Sequence, residues 1–157
     1  MPNELIVSNT ITIHASAAKV WDALVNPEQT KKYMFGCETV SEWKKGSSLL
    51  WRGQYEGKEM TFVKGDILEI KPGKHLTYTT IDPNSNVDDN AENYLAVTYD
   101  LHETNGKTEL VVTQGDFSKV ADGAKRYVDA SNGGEGWNPI LVAIRDLVEG
   151  TSTAMVK

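Results

Sequence analysis

Aromatic side chains are the residues of this sequence best suited to forming a site, and they recur in segments that alternate polar and apolar positions. Most of them lie between residues 37 and 117, and one more, Trp137, begins an apolar helical stripe. A large apolar pocket with a few convergent polar groups is the usual form of a small-molecule site. We therefore predict a ligand cavity lined by Trp51, Tyr55, Phe62, Tyr78, Tyr99, Gln114, Trp137, Asn138 and Leu141.

The same side chains would also fill an ordinary hydrophobic core, where each contributes roughly 1.5–3 kcal/mol on burial. Periodicity does not separate residues that line a cavity from residues that fill it. Gln114 and Asn138 are the polar groups expected near such a cavity. Arg52 has the opposite strand parity to Trp51 and Tyr55, so we expect it to be a solvated strand residue.

The sequence contains no pattern typical of a metal site or of a nucleophilic enzyme. His14, His75 and His102 are each alone in their segments, and Cys37 has no neighbour that would complete a thiolate site. No Gly-x-Ser-x-Gly motif occurs. We therefore predict no catalytic residues, no bound metal and no cofactor.

Charge and composition exclude several classes of function. A net charge of -6 and a pI near 5.1 argue against a nucleic-acid groove, which requires clustered Lys and Arg. Cys37 is the only cysteine, so an intrachain disulfide is impossible and a reducing compartment is expected. Without a signal peptide or a run of 18 apolar residues, the 157-residue chain is predicted to be one cytoplasmic domain that does not insert into membranes.

The first third of the chain predicts one strand followed by two short helices. Residues 5–13 alternate apolar and polar side chains, which is typical of a half-buried strand. Ser16 is a plausible N-cap for a helix that ends at Asn26, and Pro27 suits the first position of a second short helix. Gly36 is expected to end that second helix.

The middle of the chain predicts consecutive antiparallel hairpins. Strands are expected at residues 39–43, 49–55, 60–70, 76–81, 94–103 and 108–117. Pro72 and Gly73 suit a type II turn, and Asn105-Gly106 suits a type I′ turn. Gly65 is expected to form a bulge in its strand, and residues 82–93 are expected to form an acidic loop over the cavity mouth.

An amphipathic helix is predicted near the C-terminus. Trp137, Leu141, Ile144 and Val148 form one apolar stripe on a 3.6-residue period. Helix-forming residues also occupy 121–130, but three glycines and Pro139 weaken the connection between the two segments. The pattern leaves open one long kinked helix or two helices that meet.

The order of these elements, with three sets of motifs, resembles the START and birch-pollen-allergen-like (SRPBCC, helix-grip) superfamily. The motifs are Ile13-His14-Ala15-Ser16 before Val20-Trp21-Asp22-Ala23-Leu24 and Asn26-Pro27-Glu28, then Ile67-Leu68-Glu69-Ile70-Lys71-Pro72 before Leu76-Thr77-Tyr78, and Gly136-Trp137 with Leu141 and Leu147. Within that superfamily the chain resembles the homologues of the activator of the heat-shock-protein-90 ATPase. The resemblance implies one α+β helix-grip domain over residues 1–157. In this fold a curved antiparallel sheet of about six or seven strands wraps around a long C-terminal helix, and two short helices follow the first strand.

Members of these families range from ligand carriers to cyclases and co-chaperones, and they share no set of catalytic residues. The resemblance therefore implies non-enzymatic binding of a small hydrophobic molecule, such as a lipid, between the C-terminal helix and the sheet. Two alternatives stay open, an enzyme of the cyclase or aromatase type and a stress-response module whose partner is a chaperone. Many relatives carry a Trp pair where this chain has Tyr33-Met34-Phe35, so that end of the pocket is not transferred.

Overall fold

A seven-stranded antiparallel sheet with strand order β1-β7-β6-β5-β4-β3-β2 forms the centre of the molecule. The structure is a computed structural model, and it describes residues 6–34, 36–81, 93–115, 117–120, 123–131 and 136–149. The strands are β1 (Val7–Ile13), β2 (Glu38–Ser41), β3 (Ser48–Tyr55), β4 (Lys58–Lys71), β5 (His75–Thr80), β6 (Leu95–Thr104) and β7 (Lys107–Gly115). The helices are α1 (Ala17–Val25), α2 (Pro27–Tyr33), α3 (Gly123–Ser131) and α4 (Asn138–Glu149). This architecture confirms the predicted α+β helix-grip fold.

The two short helices begin where their capping residues predict. The Ser16 side chain accepts a hydrogen bond from the backbone amide of Lys19 at 3.3 Å, and Asn26 accepts one from Glu28 at 2.9 Å. Each cap satisfies an amide that has no partner inside its own helix. The chain therefore turns twice directly after β1 and returns to the sheet at β2.

Both predicted turns of the sheet are present. Asn105 and Gly106 have φ of 53° and 79°, as a type I′ turn requires, and they join β6 to β7. Gly73 has φ of 80°, and the Lys74 amide donates to the Lys71 carbonyl at 2.9 Å. The expected loop at residues 82–93 lies outside the described residues except for Asn93.

The predicted bulge at Gly65 is wrong. Gly65 pairs regularly with Leu49, and a Cβ atom at Gly65 would lie 1.6 Å from the Thr79 carbonyl oxygen, so this glycine permits a close approach of two backbones. The register between β3 and β4 instead shifts at Phe62, the additional residue between Val63 and Thr61. Because a bulge redirects side chains, Phe62 and its neighbour Val63 both reach the side of the sheet that the helices cover.

The described residues do not form the long C-terminal helix that the resemblance implied. Two helices take its place, α3 of nine residues and α4 of twelve, and residues 132–135 between them lie outside the described part. Gly136 has φ of 54°, and Pro139 is the second residue of α4, where no amide is needed for an intrahelical bond. Glycine and proline therefore separate the helices. Among the described residues, no helix is both long and apolar enough to cross a membrane.

Candidate ligand-binding cavity

A cavity of about 530 Å³ lies between the inner face of the sheet, meaning the face that the helices cover, and the beginning of α4. Strands β3 to β7 provide one wall, and α3, α4 and the segment after α2 provide the rest. Its lining residues are Met34, Cys37, Trp51, Phe62, Val63, Tyr78, Thr80, Val97, Gln114, Ala130, Gly136, Trp137 and Ile140. Among the described residues, none that borders this cavity is charged.

The structure brings five of the residues predicted for the site to the cavity wall. These are Trp51, Phe62, Tyr78, Gln114 and Trp137. That they bind a ligand stays a prediction, because the structure holds only the protein chain.

Four other predicted residues have different positions. Tyr99 lies behind the wall and is 1% exposed, while Leu141 is fully buried in the core below the cavity. Asn138 is solvent-exposed at the first position of α4 and does not border the cavity. Tyr55 is the last residue of β3, and its side chain lies outside the described part.

An aromatic row runs across the inner face of the sheet and ends at α4. Tyr78 contacts Trp51 with a ring-centroid separation of 6.5 Å and meets Tyr99 edge to face at 5.5 Å. Tyr99 in turn meets Trp137 at 6.1 Å with an interplanar angle of 77°. Edge-to-face pairs of this kind contribute about 0.5–1.5 kcal/mol each beyond simple burial. These contacts therefore fix the rings at the two ends of the row, Trp51 and Trp137, which both border the cavity.

The hydroxyl groups of Tyr78 and Tyr99 are buried and hydrogen-bonded to each other at 2.7 Å. Burial raises the pKa of Tyr78 well above its ordinary value, and it raises the pKa of Tyr99 as well. Tyr33 is also buried, donates to the Ala23 carbonyl at 2.7 Å, and has its pKa raised by the same loss of solvation. All three phenols are therefore neutral near pH 7 and do not supply a base to the cavity.

Two hydrogen bonds join the sheet to the beginning of α4 beside the cavity. The indole Nε1 of Trp137 donates to Gln114 Oε1 at 2.9 Å, and the Trp137 backbone amide donates to Asn9 Oδ1 at 2.9 Å. Gln114 lies on β7 opposite Val7 of β1 and Val97 of β6. The start of α4 is thus bonded to the sheet at two points beside the cavity.

Sequence reasoning missed eight of the lining residues, Met34, Cys37, Val63, Thr80, Val97, Ala130, Gly136 and Ile140. Val97 shares its strand face with Tyr99, and Ile140 follows Trp137 by one helical turn, so periodicity contained a signal for both. Val63 reaches the wall only because of the bulge at Phe62, and neither alternation nor residue type identifies its position.

A second, polar groove of about 810 Å³ lies outside this cavity, near the turn between β4 and β5. Here His75 bonds Asp100 through Nδ1, and its Nε2 lies 3.1 Å from Glu69 Oε1 and 3.0 Å from Thr77 Oγ1. Both ring nitrogens therefore have protein partners. Among the described residues, no group of His, Cys, Asp or Glu side chains is arranged to hold a metal ion.

Comparison with known proteins identifies a family and solved structures that this chain resembles. The family model for Activator of Hsp90 ATPase homolog 1-like protein matches residues 14–149. The solution structure of ChR145 from Cytophaga hutchinsonii is 35% identical, with a TM-score of 0.74 over 98% of this chain and 99% of that one. No curated protein matches.

Two less similar structures share the fold alone. The Aha1 dimer from Colwellia psychrerythraea is 16% identical, with a TM-score of 0.64 over 92% of this chain and 96% of that one. CalU16 from Micromonospora echinospora is 18% identical, with a TM-score of 0.63 over 92% and 74% of the two chains. The family match covers most of the sequence, and its fold agrees with the architecture described above. The chain belongs to the Activator of Hsp90 ATPase homolog 1-like protein family.

Proposed function

We propose that this protein binds a small hydrophobic molecule in the cavity between α4 and the sheet and does not alter it chemically. The observation that carries this proposal is the cavity itself, whose volume of about 530 Å³ lies in the range of roughly 300–1,000 Å³ typical of ligand sites. Its wall is formed mainly by aromatic and aliphatic side chains. Transfer of an apolar ligand from water to this surface is favourable by roughly 25 cal/mol per Å² of apolar area buried.

The family and the fold support a binding function. Two rings at the wall, Trp51 and Trp137, are held by contacts to buried tyrosines, so the lining is organised without a ligand. A preorganised wall reduces the side-chain entropy that binding would otherwise cost.

Native mass spectrometry of freshly purified protein, beside a thermal-shift screen with fatty acids, sterols and aromatic polyketide-like compounds, tests the proposal. We expect a co-purified mass, or a compound that raises the melting temperature with its concentration as linkage requires. Absence of both across the panel would overturn the proposal.

A pair of variants shows whether a ligand occupies this cavity. Ile140→Trp adds a large ring at the wall, and we expect it to weaken binding at least tenfold. Val128→Trp adds the same ring on α3 at a side chain that is 66% exposed, so binding should be unchanged. Equal binding by both variants would place the ligand elsewhere on the protein.

A chaperone partner is a second proposal, and the description of the matching family favours it. It predicts that the purified chain stimulates the ATPase of a heat-shock protein of the 90 class and is retained by that protein in a pull-down. No stimulation and no retention would remove it. Because the cavity plays no part in this proposal, Ile140→Trp should leave such an interaction intact.

A further inference from the structure

The orientation of the Gln114 amide is fixed by its partner. An indole N–H only donates, so the atom that faces Trp137 Nε1 at 2.9 Å must be the carbonyl oxygen of Gln114. The amide NH₂ group then lies on the opposite side of the side chain. Gln114 borders the cavity and forms no other side-chain hydrogen bond with the described residues, so this NH₂ group is a donor at the cavity wall that has no partner in the described part of the chain.

The indole that fixes this amide is itself held in place. The Trp137 backbone amide bonds Asn9, and its carbonyl accepts the Leu141 amide at 2.9 Å as the first bond of α4. The ring packs against Tyr99. The backbone of Trp137 is thus fixed, and rotation of its ring away from Gln114 would break both the contact with Tyr99 and the indole hydrogen bond, so the NH₂ group keeps one direction.

Most other polar groups of the described wall are already engaged. The Thr80 hydroxyl donates to the Leu95 carbonyl at 3.3 Å, the Tyr78 hydroxyl is bonded to Tyr99, and the Gly136 amide donates to Ser131 at 2.7 Å. Cys37 contributes a thiol, which is only a weak donor. The Trp51 indole N–H forms no hydrogen bond with the described residues and is a second available donor. Both donors favour a ligand with an acceptor oxygen, and Gln114 is the one whose direction is fixed by a hydrogen-bonded partner.

A donor amide without a nearby cation favours neutral ligands. A carboxylate in this cavity would lose its hydration and find no Lys or Arg among the described lining residues, which is costly for a charge. A carbonyl oxygen costs far less to desolvate and recovers a hydrogen bond from the amide. We infer that the cavity selects neutral, mainly apolar molecules with one carbonyl oxygen, which accepts a hydrogen bond from Gln114 Nε2, over free carboxylic acids. This inference rests on the proposed binding function.

Three probes of similar size test the inference by calorimetric titration at neutral pH. Benzophenone carries the carbonyl, diphenylmethane replaces it with a methylene, and diphenylacetic acid carries a carboxylate. We expect benzophenone to bind roughly threefold to tenfold more tightly than diphenylmethane, the effect of one hydrogen bond, and diphenylacetic acid to bind most weakly. Equal binding of the first two, or tightest binding of the acid, would overturn the inference and leave the proposed function standing. No binding of any probe would overturn the inference, and the ligand screen described above would then decide the proposed function separately.

Variants at Gln114 connect the preference to this amide. Gln114→Glu keeps an oxygen that can accept from Trp137 Nε1 but removes the donor, and Gln114→Leu removes both. Each should abolish the preference for benzophenone over diphenylmethane, and Gln114→Glu should regain it as acid protonates the carboxyl group into a donor. Gln54→Glu and Gln54→Leu, at an exposed position of β3, are matched controls that should retain the preference. A preference that survives in both Gln114 variants contradicts the assignment.

Discussion

Two sides of the α4 segment meet the same sheet in different ways. On one side, Leu141 and Ile144 are 0% and 1% exposed and belong to a continuous core with Leu24 and Leu110. On the other side, Ile140 and Trp137, which directly precedes α4, are only partly buried and face the cavity. One segment therefore supplies both a packed core and a binding wall. The side chains are apolar on both sides, and what differs is how completely the opposing sheet fills the space.

Truncation on the packed side of α4 should have the largest effect on stability. Leu141→Ala removes a fully buried side chain, and we expect the free energy of unfolding to fall by about 2–5 kcal/mol, measured by urea denaturation. Ile140→Ala, one position earlier, enlarges a space that is already open, so its loss should be smaller. An equal loss at both positions would show that the cavity side of α4 is packed as tightly as the core side.

The hydrogen bond between Tyr78 and Tyr99 joins the two regions, since Tyr78 borders the cavity and Tyr99 lies behind it. Tyr78→Phe or Tyr99→Phe leaves one buried hydroxyl without this partner, and each should cost about 1–3 kcal/mol of stability. The double variant removes both hydroxyls and should cost clearly less than the sum of the single changes. Denaturation of the four proteins measures this coupling. Additive losses would mean that water or a side chain replaces the missing partner.

The sequence was sufficient to predict the strands, the two short helices and their order, because local chemistry determines them. Asn105-Gly106 specifies its hairpin through positive φ, and Ser16 and Asn26 start their helices through side-chain caps. The bulge was misplaced at Gly65 because a glycine in a strand has two physical meanings, and here it allows the backbone of Thr79 to approach. Asn138 was likewise misplaced at the cavity. Its exposure depends on the rotation of α4 about its own axis, and one apolar stripe defines that rotation only to within about one residue.

Alkaline pH should destabilise the region around the tyrosine pair. The pKa values of Tyr33, Tyr78 and Tyr99 are raised in the folded protein, whereas an unfolded chain ionises its tyrosines near pH 10. Their contribution to stability is therefore fully present below about pH 10 and is lost as pH rises above it.

We expect the unfolding free energy to decrease above pH 10 by up to about 1.4 kcal/mol per pH unit for each of these groups. Urea denaturation at a series of pH values, with tyrosinate absorbance recorded in parallel, measures the slope. The double Phe variant of Tyr78 and Tyr99 should show a shallower slope than the natural protein. An unchanged slope would mean that other groups cause the alkaline transition.

The smallest effect is expected one residue from the cavity. Asn138 follows Trp137 directly, yet it is exposed and its side chain forms no hydrogen bond with the described residues. Trp137, by contrast, bonds Gln114 and borders the cavity. Asn138→Ala should change stability by no more than about 0.5 kcal/mol and leave ligand affinity unchanged, as measured by denaturation and by calorimetric titration with benzophenone. Gln114→Ala, the comparison variant, should weaken benzophenone binding. If Asn138→Ala weakened binding equally, the side-chain amide of Asn138 would contact the ligand, and the cavity wall would include Asn138.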